Sequence, residues 1–424
     1  VAHLPDELLT AVADRITERM DADVAATVVR YLKDTAERTV SEEPDGTTYV
    51  ITGDIPAMWL RDSAAQLTPL LYLVEDFPEI GRLLTGLLRR HWRYIAIDPY
   101  ANAFNKEPNG NGHQDDHTEM KPILWERKFE LDSLSYGLDM ANTLWRAGIE
   151  GWQDEGFLPA ARAIVSTFTT EQDHETRSRY RFQRFNAPAS DTLVRDGKGR
   201  ETRPCGLLWS GFRPSDDACE AGFNVPGNFY AARAMGHLAE ILREAEPALS
   251  AEAARLELEV SDGLAEHAMV AGPDGNRVYA YEVDGFGNHV LMDDANVPSL
   301  LSLPYLGCVT PDDPVYQATR SMVLSRANRY FYSGKAAKGI GSPHTPTGYI
   351  WHIALSIQGL TARTDLEREQ MIELLRATTG GTGMMHESFD ANDPRRFTRS
   401  WFSWANAMFC ELVMVHCGFT RAGR

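Results

Sequence analysis

Apolar residues recur at three- and four-residue steps along most of the chain. Leu131, Leu134, Leu138, Ala141 and Leu144 make one such stripe. Phe229, Ala232, Met235, Leu238 and Leu242 make a second, and Trp401, Ala405, Met408, Leu412 and Val415 a third. Side chains at this spacing share one face of an α-helix, so each stripe predicts an amphipathic helix with a buried side. The same periodicity predicts helices over 5–37, 62–75, 77–97, 156–172, 250–269, 292–303, 313–330, 347–361 and 365–379, about a dozen in all. Strand-like runs are few: Thr47–Ile51, Arg179–Phe185 and Arg277–Val283, each ending near Gly, Pro or Asn.

The connections over 99–128, 186–228, 331–348 and 380–400 are long and rich in Gly, Pro and Asn. Long irregular connections inside compact proteins usually carry function. Helices alternating with such loops suggest a toroid of helical hairpins, with every second loop gathered over a central pocket. A two-domain helical bundle fits the same pattern. No Gly/Ser-rich linker, low-complexity block or fixed-period repeat divides the sequence, so a single domain over 1–424 is expected.

Bulk composition narrows the partners. With 43% hydrophobic and 24% charged residues the chain can build a sizeable core. It has no eighteen-residue apolar run, so no membrane-spanning helix is expected. A formal net charge of −18 disfavours nucleic acid and anionic membrane surfaces and suits a neutral or cationic small substrate. Val1 opens directly into a polar, helix-like segment, so a cytoplasmic location is expected, with secretion left open should a leader have been trimmed. The five cysteines are odd in number and form no CxxC pair, which argues against a disulfide framework; Cys308, Cys410 and Cys417 read as core thiols. Oligomeric state is not legible.

Three segments concentrate chemistry. Asp54-Ile55-Pro56-Ala57-Met58-Trp59-Leu60-Arg61-Asp62-Ser63 sets a guanidinium fork beside carboxylates and an indole wall. That mixture binds vicinal hydroxyls and the C–H face of a sugar ring. A salt-bridged loop entering a helix is the plainer reading, with Asp62 and Ser63 as caps. In Trp209-Ser210-Gly211-Phe212-Arg213-Pro214-Ser215-Asp216-Asp217, one of two adjacent acids is expected to be held protonated by burial and its neighbour, and so to serve as a general acid. The other reads as a cap. In Gly380-Gly381-Thr382-Gly383-Met384-Met385-His386-Glu387, a glutamate on a Gly-rich loop beside aromatics suits a general base; no P-loop lysine follows for a phosphate.

Other clusters read first as structural. His113-Gln114-Asp115-Asp116-His117-Thr118-Glu119 has metal-ligating residue types, but its spacing is that of a polar rim rather than of a helical metal site. Glu126 and Arg127 precede a regular helical pattern and are expected to reach the pocket, whereas Glu130 and Asp132 are expected as caps that suit the helix dipole or as supports behind the pocket lining. His289, His344 and His352 are each candidates for a sugar hydroxyl, but each reads first as a structural histidine.

Trp59-Leu60-Arg61-Asp62-Ser63 resembles the Trp-x-Arg-Asp segment of glucoamylase-like (α/α)6 glycosidases. The segments at 53–63, Glu126–Ser133, Ser210–Cys219 and Met385–Phe389 together resemble glycoside hydrolase family 125, the exo-α-1,6-mannosidases, over nearly the whole chain. The resemblance implies an all-α six-hairpin (α/α)6 barrel. It also implies inverting, metal-independent and cofactor-free hydrolysis of terminal α-1,6-linked mannose on a glycan. The implied general acid falls on Asp216 or Asp217 and the implied base on Glu387. Asp54, Trp59, Arg61, Asp62, Glu126, Arg127, Trp209, Arg213 and His386 are the expected substrate-binding residues. Competing readings are another inverting α-glycosidase of the glucoamylase kind, a calcium-dependent mannosidase, a non-catalytic glycan-binding toroid and an (α/α)6 lyase.

Overall fold

The computed structural model describes residues 1–423. Five helices that bury most of their residues stand as an inner ring: Leu60–Leu67, Leu131–Arg146, Val225–Leu242, His352–Leu360 and Ser403–His416. Leu131–Arg146 packs on both Leu60–Leu67 and Val225–Leu242, His352–Leu360 packs on Ser403–His416, and Ser403–His416 packs back onto Leu60–Leu67. Helices that leave more of their residues exposed flank them, among them Ala22–Thr39, Gly81–Ile97, Phe157–Glu171, Pro247–His267 and Asp365–Ala377. A helix buried on most sides is usually apolar all round, as Ser403–His416 largely is, whereas Leu60–Leu67 is buried yet carries Arg61, Asp62, Ser63 and Gln66. The result is a six-hairpin toroid with short strands in its loops.

The sixth place in the ring corrects the expected helix at 292–303. That segment is turns, not helix. The Asp293 carboxylate accepts the amides of Leu300 at 2.9 Å and Leu301 at 3.0 Å, and Ser299 and Ser302 bond each other's backbone. Pro298 and Pro304 lack the N–H that a helix ladder needs. The turns still plug the ring: Leu300, Leu301 and Leu303 are buried, and Tyr136 donates to the Val297 carbonyl at 3.0 Å.

Other boundaries shift for local reasons. The helix expected over 5–37 breaks into Asp6–Thr17 and Ala22–Thr39, because the Asp21 side chain accepts from Val24 N and starts a new helix. That expected over 62–75 becomes Leu60–Leu67 followed by a 3-10 turn at Thr68–Tyr72, where Pro69 intervenes. The strand expected at Arg179–Phe185 reduces to one bridge between His117 and Gln183. Arg277–Val283 splits, since Arg277–Tyr279 pairs with Met269–Ala271 while Glu282–Val283 pairs with Phe223–Asn224 and His289–Val290.

One continuous apolar core runs from Ala2 to Ala422. Each buried Leu, Phe or Met in it contributes about 1.5–3 kcal/mol. Cys410 and Cys417 lie in the core, Cys308 is half-buried, and all five thiols are free. A second small cluster, Ala57, Trp59 and Ala103 with Ile55 and Trp125, stands apart. It belongs to the end of the toroid that carries the site.

Four inner helices are entered through short strands: Met58–Trp59, Leu124–Glu126, Phe223–Asn224 and Tyr349–Trp351. The fifth is entered from Phe402, which bridges Gly53. Gly53 is required there: its φ is 129°, and a Cβ would sit 2.6 Å from the Trp401 carbonyl oxygen. This contact joins the 53–63 segment to the 399–404 segment. The N-terminal ends of the inner helices thus converge, and their dipoles favour acids there.

Candidate active site

At this end lies a cavity of about 250 Å³, smaller than the ~300–1,000 Å³ of most small-molecule clefts. Trp59, Arg61, Asp62, Asp216, Glu387 and Arg399 line it, with His344, Asn296 and an aromatic wall of Trp351, Phe402 and Trp404. The expected loops 186–228, 331–348 and 380–400 each supply lining residues; 99–128 supplies none directly. A larger cavity of about 570 Å³ lies between Val225–Leu242 and Pro247–His267, but no residue of the three chemical segments reaches it.

Arg61 is the hub. Its Nη1 donates to Glu130 Oε2 at 2.7 Å and Asp132 Oδ2 at 3.3 Å, and its Nη2 to Asp216 Oδ1 at 3.1 Å. Nε lies 3.1 Å from Asp62 Oδ1. Three of the five N–H groups of a guanidinium are therefore engaged with protein carboxylates. This revises the expectation for Arg61, which holds acids in place before it can hold a sugar. Burial pushes Asp62 and Asp132 upward against the pull of Arg61, Asp132 to about 6. Burial and then the Asp216 carboxylate push Glu130 well above the usual range. Burial raises Asp216, but Arg61, Lys128 and His344 hold it below the usual carboxylate range, so burial and an acidic neighbour do not by themselves keep this acid protonated as expected.

The two adjacent acids part company. Asp216 faces the cavity with a φ of 68°. That left-handed geometry costs a non-glycine residue about 1–3 kcal/mol. It is held by Asp216 N donating to Arg213 O at 2.9 Å and by Lys128 Nζ donating to Asp216 O at 2.7 Å. Asp217 does not line the cavity; its Oδ1 meets His344 Nδ1 at 2.8 Å. Burial opposes charge on His344, but the bond to Asp217 and the charges of Asp217, Glu387 and Asp216 push the imidazole up to about 9. His344 is therefore a cation at neutral pH.

On the other wall, Glu387 has Arg399 Nη1 at 3.8 Å. Arg399 also takes a left-handed φ, 50°, and its Nε donates to Asp54 Oδ1 at 2.9 Å. The indole N–H groups of Trp59 and Trp404 are buried with no hydrogen-bond partner among the described residues. Both side chains line the cavity.

Six of the expected substrate-binding residues do not line the cavity. Trp209 is fully buried, stacked on His174 at 3.4 Å between ring centroids. Arg213 is clamped by Glu282. Glu126 bonds Asn102 and Arg184, and Arg127 bonds Asp98 and Thr118. His386 is buried against Phe397 and bonds the Arg399 carbonyl, which orients the residue before Glu387. Asp54 touches the site only through Arg399. These groups brace the lining rather than face the cavity. The 113–119 loop likewise spends Asp116 on Arg184, and no three His, Cys, Asp or Glu among the described residues are grouped to hold a metal. Conversely, Glu130, Asp132, His344 and Arg399 were not among the expected substrate-binding residues, although a supporting place for Glu130 and Asp132 and a sugar contact for His344 were open readings. The Gly341-Ser342-Pro343-His344 turn and the arginine opening Arg399-Ser400-Trp401 were the available signals.

A family profile described as metal-independent α-mannosidase (GH125) matches residues 21–414. The chain belongs to glycoside hydrolase family 125. This family 125 α-mannosidase is 45% identical to a Streptococcus pneumoniae protein, with a TM-score of 0.95 and coverage of 98% of this chain and 99% of that one. The pneumococcal protein comes from a widely distributed family of metal-independent α-mannosidases tied to processing of N-linked glycans, and was solved in a non-productive complex with α-1,6-mannobiose. The family 125 chain is also 36% identical to the Meiotically up-regulated gene 157 protein of Schizosaccharomyces pombe, over 93% of this chain and 82% of that protein. A bacterial glucoamylase solved with acarbose shares the fold alone: TM-score 0.61 at 11% identity, covering 97% of this chain and 57% of that one.

Proposed function

We propose that this α-mannosidase removes terminal, non-reducing α-1,6-linked mannose from glycans by a single, inverting displacement. Asp216 is the general acid and Glu387 the general base. One observation carries the assignment: Asp216 and Glu387 line one cavity from separate loops, while Asp217 turns away to His344. Inversion needs a protonated carboxyl at the leaving oxygen and an ionised one across the ring to activate water. The O–H bond of Asp216 breaks as the C1–O bond breaks, and the leaving oxygen takes that proton. Glu387 takes a proton from the attacking water. The two carboxyls supply both transfers, so the reaction needs no metal or cofactor.

The small cavity supports exo action on a single ring. The unpaired indole N–H groups of Trp59 and Trp404, with Asp62, suit its hydroxyls. The α-1,6 linkage rests on likeness to the pneumococcal relative. Asp216→Asn and Asp217→Asn separate the two acids. Asp216→Asn should lose α-1,6-mannobiose cleavage by roughly 10²–10⁴-fold and recover much of it on an aryl mannoside whose leaving group needs no proton. Selective rescue of Asp217→Asn instead would move the acid to Asp217.

A further inference from the structure

Four carboxyl groups converge on one guanidinium. Around Arg61 stand Asp62, Glu130, Asp132 and Asp216, with side-chain exposures of 6%, 0%, 2% and 19%. Only Asp62 and Asp216 line the cavity. Glu130 and Asp216 are bound by the two terminal nitrogens of the same fork, at 2.7 Å and 3.1 Å. Two carboxyls so close in a desolvated site cannot both be ionised at modest cost, and a shared proton is the resolution.

We propose that Glu130 is a positioning residue that shares one proton with Asp216 across the Arg61 fork and reloads that acid in every catalytic cycle. The proposal rests on Asp216 being the general acid. In the free enzyme the proton sits on the Glu130 side. It passes to Asp216, which gives it to the glycosidic oxygen as the C1–O bonding pair moves onto that oxygen. Both carboxyls are then ionised until a proton returns from water after product leaves. Burial, then the Asp216 charge, favours the protonated form of Glu130.

The charged surroundings fit this role. Arg61 and Asp62 face the pair from the Leu60–Leu67 helix, and Asp132 and Ser133 from Leu131–Arg146. From the preceding segment comes Lys128, whose own neighbours are Glu126 and Asp191. Asn102 reaches Glu130 Oε1 at 3.5 Å, the Cys219 thiol feels Glu130, and His344, bonded to Asp217, brings its charge to bear on Asp216. Arg61, Lys128 and His344 are cations that draw Asp216 toward its ionised form. Without a partner that holds a proton, Asp216 would lose its own.

The test is the pH profile of kcat/KM for Glu130→Gln in the full chain, on α-1,6-mannobiose and on dinitrophenyl α-mannoside. The alkaline limb on mannobiose should move to lower pH by at least about one unit, a tenfold loss of proton occupancy at fixed pH. The loss on the dinitrophenyl substrate, which needs no acid, should be at least about tenfold smaller. An unmoved limb, or equal losses on both substrates, overturns the proposal. A second measurement guards against misfolding of the variant. The infrared difference between wild type and Asp216→Asn at neutral pH should contain the carbonyl stretch of a protonated carboxylic acid; carboxylate bands alone overturn the proposal. Asp216→Asn with wild-type cleavage of mannobiose would sink the assignment of Asp216, and the proposal with it. An inactive Asp216→Asn beside an unmoved Glu130→Gln limb sinks the proposal alone.

Discussion

The two walls of the cavity solve opposite problems with the same side-chain chemistry. Around Arg61, several buried acids compete for one cation, and burial pushes Glu130, Asp132 and Asp62 upward. Around Glu387, one carboxylate has Arg399 at 3.8 Å, with His344 within electrostatic reach. Crowded acids share few cations and favour their protonated forms, whereas Glu387 shares Arg399 with one further acid, Asp54, among the ion pairs of the described residues. In the proposed mechanism this difference in charge arrangement assigns the proton donor to one wall and the acceptor to the other.

The comparison breaks most sharply at Glu387. Attack by water is needed whatever leaves, so Glu387→Gln should lose roughly 10²–10⁴-fold in kcat on mannobiose and on activated aryl mannosides alike. Initial-rate assays on both substrates check this, and rescue by a better leaving group would place Glu387 on the acid side. Next comes the hub. Arg61→Ala strips the shared cation from buried acids and should cost about 3–5 kcal/mol of stability, with a large fall in kcat/KM. Thermal unfolding with steady-state kinetics would show it; a variant with wild-type Tm and activity would mean that the acids do not depend on Arg61.

A smaller effect concerns His344 and Asp217. The imidazole is raised from 6.5 to about 9 in the folded chain, so the stability it contributes is complete below pH 6.5 and is lost as pH rises through about 9. The Tm advantage of wild type over His344→Gln should therefore shrink across that window. A constant advantage would show that the Asp217 contact is not ionic. The smallest effect is none: chelation followed by dialysis should leave kcat/KM unchanged, and activity restored only by added Ca²⁺ or Zn²⁺ would contradict the two-carboxyl account.

Sequence periodicity located the inner helices because each buries a wide apolar face. It failed at 292–303, where the apolar spacing is right but Asp293, Pro298 and Pro304 divert the backbone into turns. At the site, the Trp59-Leu60-Arg61-Asp62 segment was legible, since its residues meet the cavity directly. Glu130 and Asp132 were not, because acids at a helix start satisfy the dipole equally well as caps. Their burial beside Arg61 exists only once two helix ends meet. Trp209, Arg213 and His386 misled for the converse reason. Their residue types suit sugar binding, yet Glu282, His174 and the Arg399 carbonyl absorb them internally.

The most direct test of the two-wall account is proton NMR of mannose released from α-1,6-mannobiose, followed from the first seconds of reaction. A base on one wall and an acid on the other displace the leaving group in one step, so the account predicts that β-mannose appears first and then mutarotates. Initial release of α-mannose would require a covalent intermediate, make Glu387 a nucleophile or an onlooker, and contradict the account.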